Sequence, residues 1–426
     1  MVISFLRSLA FDDTINIASK LSQLVKGPLL MGLVLLNLTI SEQANWYVMI
    51  SLASLGMMAD FGVSTLLMQS LAKTNVDKHP ILISYSVKNI IYSLLVVNIL
   101  LLMIGAFVFK SELKTLYYTW VAFCLSNILI VFITVFSSIL QGKQRTNLAF
   151  GIRFLCVNLV TLFNCIFLFW GFGLDSLWLS NVLTFFTILA LALAFGLKIN
   201  FSKLYSRQLK LNLEVVKEIS DQKKRYIVSW ISGFVLFSSI LPILKLTSSV
   251  ELVATTGLCF AATRAIGAVS ISWLETVSGK LGVHIGKNDF DYVFNSLYAV
   301  SKRVIYTFFV LFFSALLVVY IANNYSFFYG RIPSVEVFLY IGIAEFFYLM
   351  MNIFSKYTRV FCIELFAIHN VIFCILVGLG ALLALTYLSY DHWLIVFLLT
   401  YMIIGFPLYL LTFLGWKKRQ KNSHNV

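Results

Sequence analysis

The feature that most constrains this chain is a series of apolar segments, most of them about 20 residues long. A helix of about 20 apolar residues is long enough to cross the hydrocarbon core of a bilayer. The sequence predicts twelve such helices, at 22–40, 45–70, 82–109, 116–140, 147–170, 176–197, 226–246, 252–276, 303–322, 334–354, 360–387 and 391–415. We therefore expect an all-α polytopic membrane protein.

The composition excludes a soluble globular domain. Hydrophobic residues make up 60% of the chain and charged residues 12%, whereas soluble domains have about 45–50% apolar and about 25% charged residues. The six cysteines lie in apolar segments without metal-ligand spacing, so we expect them to be buried hydrophobes. The net charge of +14 is explained by short loops that face the cytoplasm. We expect no nucleic-acid partner.

The distribution of basic residues predicts the orientation. With both termini in the cytoplasm, most Lys and Arg residues lie in or beside cytoplasmic segments, as the positive-inside rule requires. The exceptions among the 32 are Lys110, Lys114, Lys245 and Arg331, toward the outer side, and Arg264, in mid-span.

One long interval separates the first six predicted spans from the last six. This interval, 198–225, is a predicted cytoplasmic linker, in part an amphipathic helix on the membrane surface. Its basic residues would be attracted to anionic headgroups. The predicted domains are an amino-terminal six-helix lobe at 1–197 and a carboxy-terminal six-helix lobe with a basic cytoplasmic tail at 226–426.

Charged side chains inside the spans are the candidates for function. A charge at mid-bilayer costs roughly 2.5–3.5 kcal/mol on insertion scales, so it normally faces a protein interior or a wet cavity. Lys26 and Arg153 lie near inner ends of spans, and Asp60, Arg264 and Glu345 lie deeper. Structural pairing between helices, or snorkelling to the interface, is the alternative to a functional role.

Signatures of enzymes are absent from the sequence. It contains no HExxH, P-loop, nucleophile elbow or GxGxxG, and its five histidines are scattered. The longest predicted outer loop, around 321–333, is short for the external site of a sugar-polymerising enzyme. We expect no enzymatic activity, no cofactor and no metal site.

Three segments resemble a known family. They are YVMISLASLGMMADFGVSTLLMQSLAK in the second span, ILQGKQRTNLAFGIRF at 139–154 and GLCFAATRAIGAVSISWLETVSGKL at 257–281. In this order they resemble the second helix, the turn between helices four and five and the eighth helix of O-antigen flippases of the Wzx type. These flippases belong to the multidrug/oligosaccharidyl-lipid/polysaccharide (MOP) exporter superfamily. The sequence departs from the family at ANWYV, where members often have a glycine beside the tyrosine.

The resemblance implies two six-helix lobes around a central cavity that opens alternately to either side of the membrane. It implies a substrate as well: an oligosaccharide on undecaprenyl pyrophosphate, moved from the cytoplasmic to the periplasmic leaflet of the bacterial inner membrane. Sugar hydroxyls would lose their hydrogen bonds in hydrocarbon, so such a headgroup needs a protein path. Anionic membrane lipids and polysaccharide assembly proteins are further candidate partners.

The chemistry of the intramembrane charges, together with the resemblance, suggests a role for each. Arg264 is the predicted pyrophosphate contact, because a guanidinium stays charged and its forked donors match phosphate oxygens. Lys26 and Arg153 are weaker partners nearer the cytoplasmic entrance. The alternative for Arg264 is an ion pair with Glu345 or Asp60. We expect Asp60 to face the interior of the amino-terminal lobe, where it caps the inner end of the second helix or couples transport to protons.

Two other functions are open at this point. A multidrug/cation antiporter of the same superfamily would use acidic residues such as Asp60 and Glu345 to hold cations. An O-antigen polymerase, a membrane glycosyltransferase, has similar length and hydropathy. The short outer loops and the division into six and six spans weigh against the polymerase.

Overall fold

The computed structural model of the chain contains helices and short connections, and none of its described residues lies in a β-strand. The residues that it describes are 22, 26–57, 59–73, 79–194, 232, 238–286, 289–328, 330–361, 365–387 and 389–422. The prediction of an all-α fold is confirmed.

The helices follow one another with short connections. In chain order they are α1 Lys26–Asn37, α2 Ile40–Met57, α3 Val63–Lys73, α4 His79–Val108, α5 Leu113–Gly142, α6 Thr146–Phe169, α7 Ser176–Ala194, α8 Ile240–Thr247, α9 Val250–Gly286, α10 Phe290–Ala322, α11 Val335–Val360, α12 Ala367–Tyr387, α13 Tyr390–Leu399 and α14 Phe406–Asn422. A π-helical segment, Thr400–Gly405, joins α13 to α14.

Nine helices in the described part of the chain are long and apolar enough to cross a membrane, judged by length and composition. They correspond to nine of the twelve predicted spans. Of the other three, the first contains the shorter apolar helix Lys26–Asn37, the second is interrupted, and most of the seventh lies outside the described residues. The predicted linker at 198–225 also lies outside them, so its structure stays a prediction.

The second predicted span, 45–70, is not one continuous helix. It is divided between α2 and α3, because Phe61 (φ 47°) and Gly62 (φ 76°) both have positive φ. A right-handed helix cannot continue through that conformation, which glycine adopts at little cost and other residues rarely.

The chain divides into two compact units. The described residues of Leu29–Pro242 form the first unit, and those of Lys20–Pro28 and Ile243–Val426 form the second. In the first unit α5 is central and contacts α2, α3, α4, α6 and α7. In the second unit α11 is central and contacts α9, α10, α13, the π-helical segment and α14.

Burial explains why α2 is less hydrophobic than α4 and α5, the helices against which it packs. All side chains from Gln43 to Met49 are buried, so α2 is enclosed by protein on every side of the helix over these two turns. A helix that does not contact lipid over these turns can carry polar side chains, and α2 contains Gln43 and Asn45 there. The amide of Asn45 donates to Glu112, just before α5.

In the second unit, aromatic rings pack α10 against α11. The rings of Phe308 and Phe312 are stacked, as are those of Phe312 and Phe338. Phe312 also lies against Gly342, since a Cβ on this glycine would be 2.0 Å from its ring. This close approach fixes the position of α11, which carries Glu345 less than one turn beyond Gly342.

Candidate functional site

Arg264 lies near the middle of the candidate span Val250–Leu274 and forms an ion pair with α11. Its Nε is 3.4 Å from Oε1 of Glu345, and its Cζ is 4.6 Å from the centre of the Phe260 ring. The arginine side chain is 31% exposed, whereas that of Glu345 is 6% exposed. The carboxylate is therefore enclosed, while part of the guanidinium side chain stays accessible.

Two tyrosines lie near this ion pair, one of them buried (Tyr401) and one partly buried (Tyr348). Tyr348 is on α11, three residues after Glu345, and Tyr401 is in the π-helical segment. Their ring centres are 6.5 Å apart, with one ring edge toward the other, and both interact electrostatically with Glu345 and Arg264. Sequence reasoning missed both, because tyrosine carries no charge to mark it within a span. The spacing of Glu345 and Tyr348 on one helix face was the available signal.

Arg153 lies on α6 and binds neutral side chains of α5. Its Nε donates to Oγ of Ser137 at 2.7 Å, and its Nη2 donates to Oγ of Ser138 at 3.0 Å. The arginine side chain is partly exposed, and both serines are buried. Among the described residues, no carboxylate lies within ion-pair distance of Arg153.

Lys26 lies in the first turn of α1 and is partly exposed. A Cβ placed on the next residue, Gly27, would be 3.8 Å from Cβ of Ala265. The start of α1 therefore lies against α9 at Ala265, the residue that follows Arg264. Within the described part of the chain, Lys26 makes no ion pair.

Asp60 lies in the turn between α2 and α3 and is 8% exposed. Its Oδ1 accepts a hydrogen bond from the backbone N–H of Gly62 at 3.1 Å, and its own carbonyl accepts from the N–H of Val63 at 2.9 Å. An aspartate that bonds the backbone two residues onward stabilises a turn. The carboxylate thus has a local partner at the start of α3.

The structure brings together only some of the predicted residues. In the second unit, Arg264 contacts Glu345, and the chain that carries Lys26 adjoins α9. Arg153 and Asp60 belong to the first unit, where they have separate partners. Among the residues described, no three His, Cys, Asp or Glu side chains are grouped so that they could hold a metal ion.

No protein-family model and no curated protein matches the sequence. Several solved structures match, and those with a TM-score of 0.51 include the following three. They are a MATE transporter in the bent conformation (16% identity, 95% of this chain and 94% of that chain), MATE in complex with MaD3S (14%, 95% and 95%) and a MOP superfamily transporter from Pyrococcus furiosus (16%, 95% and 94%). The last is described as having a binding pocket of reverse polarity, which suggests a different function. The chain thus has the multi-pass membrane fold of MATE transporters of the MOP superfamily.

Proposed function

We propose that this chain is a transporter that works by alternating access and translocates an undecaprenyl-pyrophosphate-linked oligosaccharide from the cytoplasmic to the periplasmic leaflet. The observation that carries the proposal is which of the intramembrane charges have a partner and which keep accessible surface. Both acidic candidates already have partners, Asp60 in its turn and Glu345 with Arg264. The cationic candidates keep accessible surface, and Arg153 and Lys26 have no acidic partner among the described residues.

This arrangement suits an anionic headgroup better than a cationic drug. A cation antiporter needs carboxylates that can accept a cation, whereas the enclosed carboxylate of Glu345 faces a guanidinium. A pyrophosphate needs positive groups with several N–H donors, which arginine provides in a fixed fork. The Pyrococcus furiosus transporter, whose reverse-polarity pocket suggests a different function, supports the idea that this fold can serve more than one function.

The ion pair gives Arg264 an intermediate attraction for phosphate. A guanidinium without a counter-charge, buried in a low-dielectric interior, would hold a pyrophosphate strongly and release it slowly. Glu345 offsets part of that charge, so the headgroup can bind from one side and leave toward the other. Lys26, at the start of α1 in the second unit, and Arg153, on α6 in the first unit, are proposed as separate, weaker contacts nearer the cytoplasmic side. The chain forms and breaks no covalent bond in this process.

The test is to delete the gene and locate the lipid-linked intermediate in the membrane. Loss of a flippase leaves single oligosaccharide units on the lipid carrier in the cytoplasmic leaflet, where an impermeant periodate reagent cannot reach them in spheroplasts. Unpolymerised units in the periplasmic leaflet would identify a polymerase. Normal intermediates together with increased drug sensitivity would identify a multidrug antiporter. Either of the last two results would overturn the proposal.

A matched pair of variants links this phenotype to the ion pair. Arg264→Ala should fail to restore export in the deletion strain. Arg331→Ala should restore it, because Arg331 also lies over an aromatic ring, that of Phe327 at 5.6 Å, but belongs to the predicted outer loop. Both variants must be present in the membrane at the level of the unmodified chain.

A further inference from the structure

Arg153 is held by two consecutive serines in a way that leaves one side of its guanidinium available. Ser137 gives its own hydroxyl hydrogen to the carbonyl of Thr134 at 2.8 Å, so its oxygen acts toward Arg153 only as an acceptor. Nε and one N–H of Nη2 are used by the serines. A guanidinium has five N–H groups, and the other three have no acceptor among the described residues.

Snorkelling alone does not explain this geometry. Arg153 is about 10 Å along the helix axis from the start of α6, within reach of the cytoplasmic interface. The two serine bonds instead hold it sideways against α5. Arg145, just before α6, is exposed and its side chain makes no capping bond, which is the behaviour of an interfacial arginine.

Arg153 lies at the border of an exposed apolar face of α6, since Ala149 and Cys156 on its other flank are buried. Phe150, three residues earlier, is 45% exposed, and Val157, four residues later, is 49% exposed. Residues at these spacings lie on the same side of a helix. A cation that has no carboxylate partner among the described residues, with exposed apolar side chains on one flank, matches a ligand that has a phosphate head and a hydrocarbon tail.

We propose that Arg153, Ser137 and Ser138 form a binding site for the phosphate of a lipid in the first unit. Its ligand is the pyrophosphate of the isoprenoid carrier, an assignment that rests on the proposed function. The serines orient the guanidinium, and the three remaining N–H groups bind phosphate oxygens. Unlike Arg264, Arg153 does not have to separate from a carboxylate to do so.

The experiment measures binding of undecaprenyl pyrophosphate to the full chain in phosphatidylcholine nanodiscs by native mass spectrometry. All variants carry Arg264→Gln and Glu345→Gln, which remove the other candidate contact without leaving either charge of that pair alone. Arg153→Gln should weaken binding about ten-fold or more, the equivalent of one charge-assisted hydrogen-bonded contact. The parent is the chain that carries only Arg264→Gln and Glu345→Gln. The matched control Arg145→Gln should have an affinity within two-fold of that of the parent.

Two further variants separate orientation from charge. Arg153→Lys keeps the positive charge but loses the forked N–H donors of the guanidinium. The double variant Ser137→Ala and Ser138→Ala keeps the arginine but removes the two hydroxyl groups that orient it. Both should bind more weakly than the parent and more tightly than Arg153→Gln. Folding is checked by the melting temperature, and if Arg153→Gln does not fold, the lysine and serine variants decide. Parent-like affinity in folded Arg153→Gln, or in both of these variants, would overturn the site.

Competition identifies the lipid. Phosphatidylglycerol should displace the carrier only at ten-fold or greater excess, whereas equal competition would show a general phospholipid site and overturn its part in substrate handling. The outcome is distinct from that of the gene deletion. If deletion of the gene gives the flippase phenotype but the Arg153→Gln variant binds the carrier with normal affinity, only this site is refuted. If the carrier binds through Arg153 but the deletion strain does not accumulate inward-facing intermediates, only the proposed function is refuted.

Discussion

Nε of Arg264 lies 3.4 Å from Oε1 of Glu345, with the carboxylate side chain 6% exposed and the arginine side chain 31% exposed. This asymmetry makes the two single substitutions unequal. Removing the arginine leaves an enclosed carboxylate without a counter-charge, whereas neutralising the glutamate leaves a cation with accessible surface. Breaking a fully buried pair costs about 3–5 kcal/mol, and partial exposure of one partner reduces that cost.

The first prediction is that Arg264→Ala lowers thermal stability more than Glu345→Gln does, by on the order of 2 kcal/mol. The measurement is the melting temperature of the purified chain in detergent. Exchanging the two residues, as Arg264→Glu with Glu345→Arg, should restore stability but not export of the proposed lipid-linked substrate, because the cation would then lie on α11. Full export by the exchanged variant would show that the pair is only structural. Normal export by correctly inserted Arg264→Ala would exclude the substrate role.

The second prediction concerns the turn between α2 and α3. The Gly62 N–H is bonded to Oδ1 of Asp60, and an asparagine side chain offers the same acceptor oxygen. Asp60→Asn should therefore keep the melting temperature near that of the unmodified chain, whereas Asp60→Ala should lose about 1 kcal/mol of stability. If Asp60→Asn is destabilised as much as Asp60→Ala, the negative charge, and not the turn hydrogen bond, is what the fold needs.

The sequence was sufficient for the helical architecture because lipid imposes a strong rule. Backbone polar groups must be satisfied within each span, so a long apolar segment has to be helical. The break in the second span was harder to predict, since the flanking residues are as apolar as those of an intact helix. Asp60 and Gly62 are turn-forming residues and were the available signal for the break, but the positive φ of Phe61 has no counterpart in the sequence.

The candidate site was predictable where it is charged. The cost of insertion marks Arg264, Glu345 and Arg153 in any sequence reading. Their partners are harder to identify, because Ser137 and Tyr401 carry no charge. Pairing across helices depends on how the helices are packed, which the periodicity of a single helix does not contain.

The third prediction tests the orientation of the segment at 198–225, outside the described residues. A cysteine replacing Lys210, in a chain without its six native cysteines, should react with an impermeant maleimide in inverted vesicles and not in spheroplasts. The reason is the positive-inside rule, since this interval is rich in lysine and arginine. Arg331→Cys, on the predicted outer side, is the matched control and should react in spheroplasts. Labelling of residue 210 only from the periplasm would overturn the topology.

The last prediction uses two helical glycines of the second unit, Gly342 on α11 and Gly267 on α9, which differ in the space around them. A Cβ on Gly342 would lie 2.0 Å from Cε2 and 2.4 Å from Cζ of Phe312, whereas one on Gly267 meets nothing within 4 Å. The Phe312 ring cannot move aside freely, because it is stacked between Phe308 and Phe338.

Gly342→Ala should therefore cost about 1–3 kcal/mol of stability, as overpacking of a core does. Because α11 also carries Glu345, transport should fall with it. Gly267→Ala should change neither the melting temperature nor transport of the proposed substrate. Equal melting temperatures for the two alanine variants would show that α10 and α11 are not packed as closely as the Phe312 contact requires.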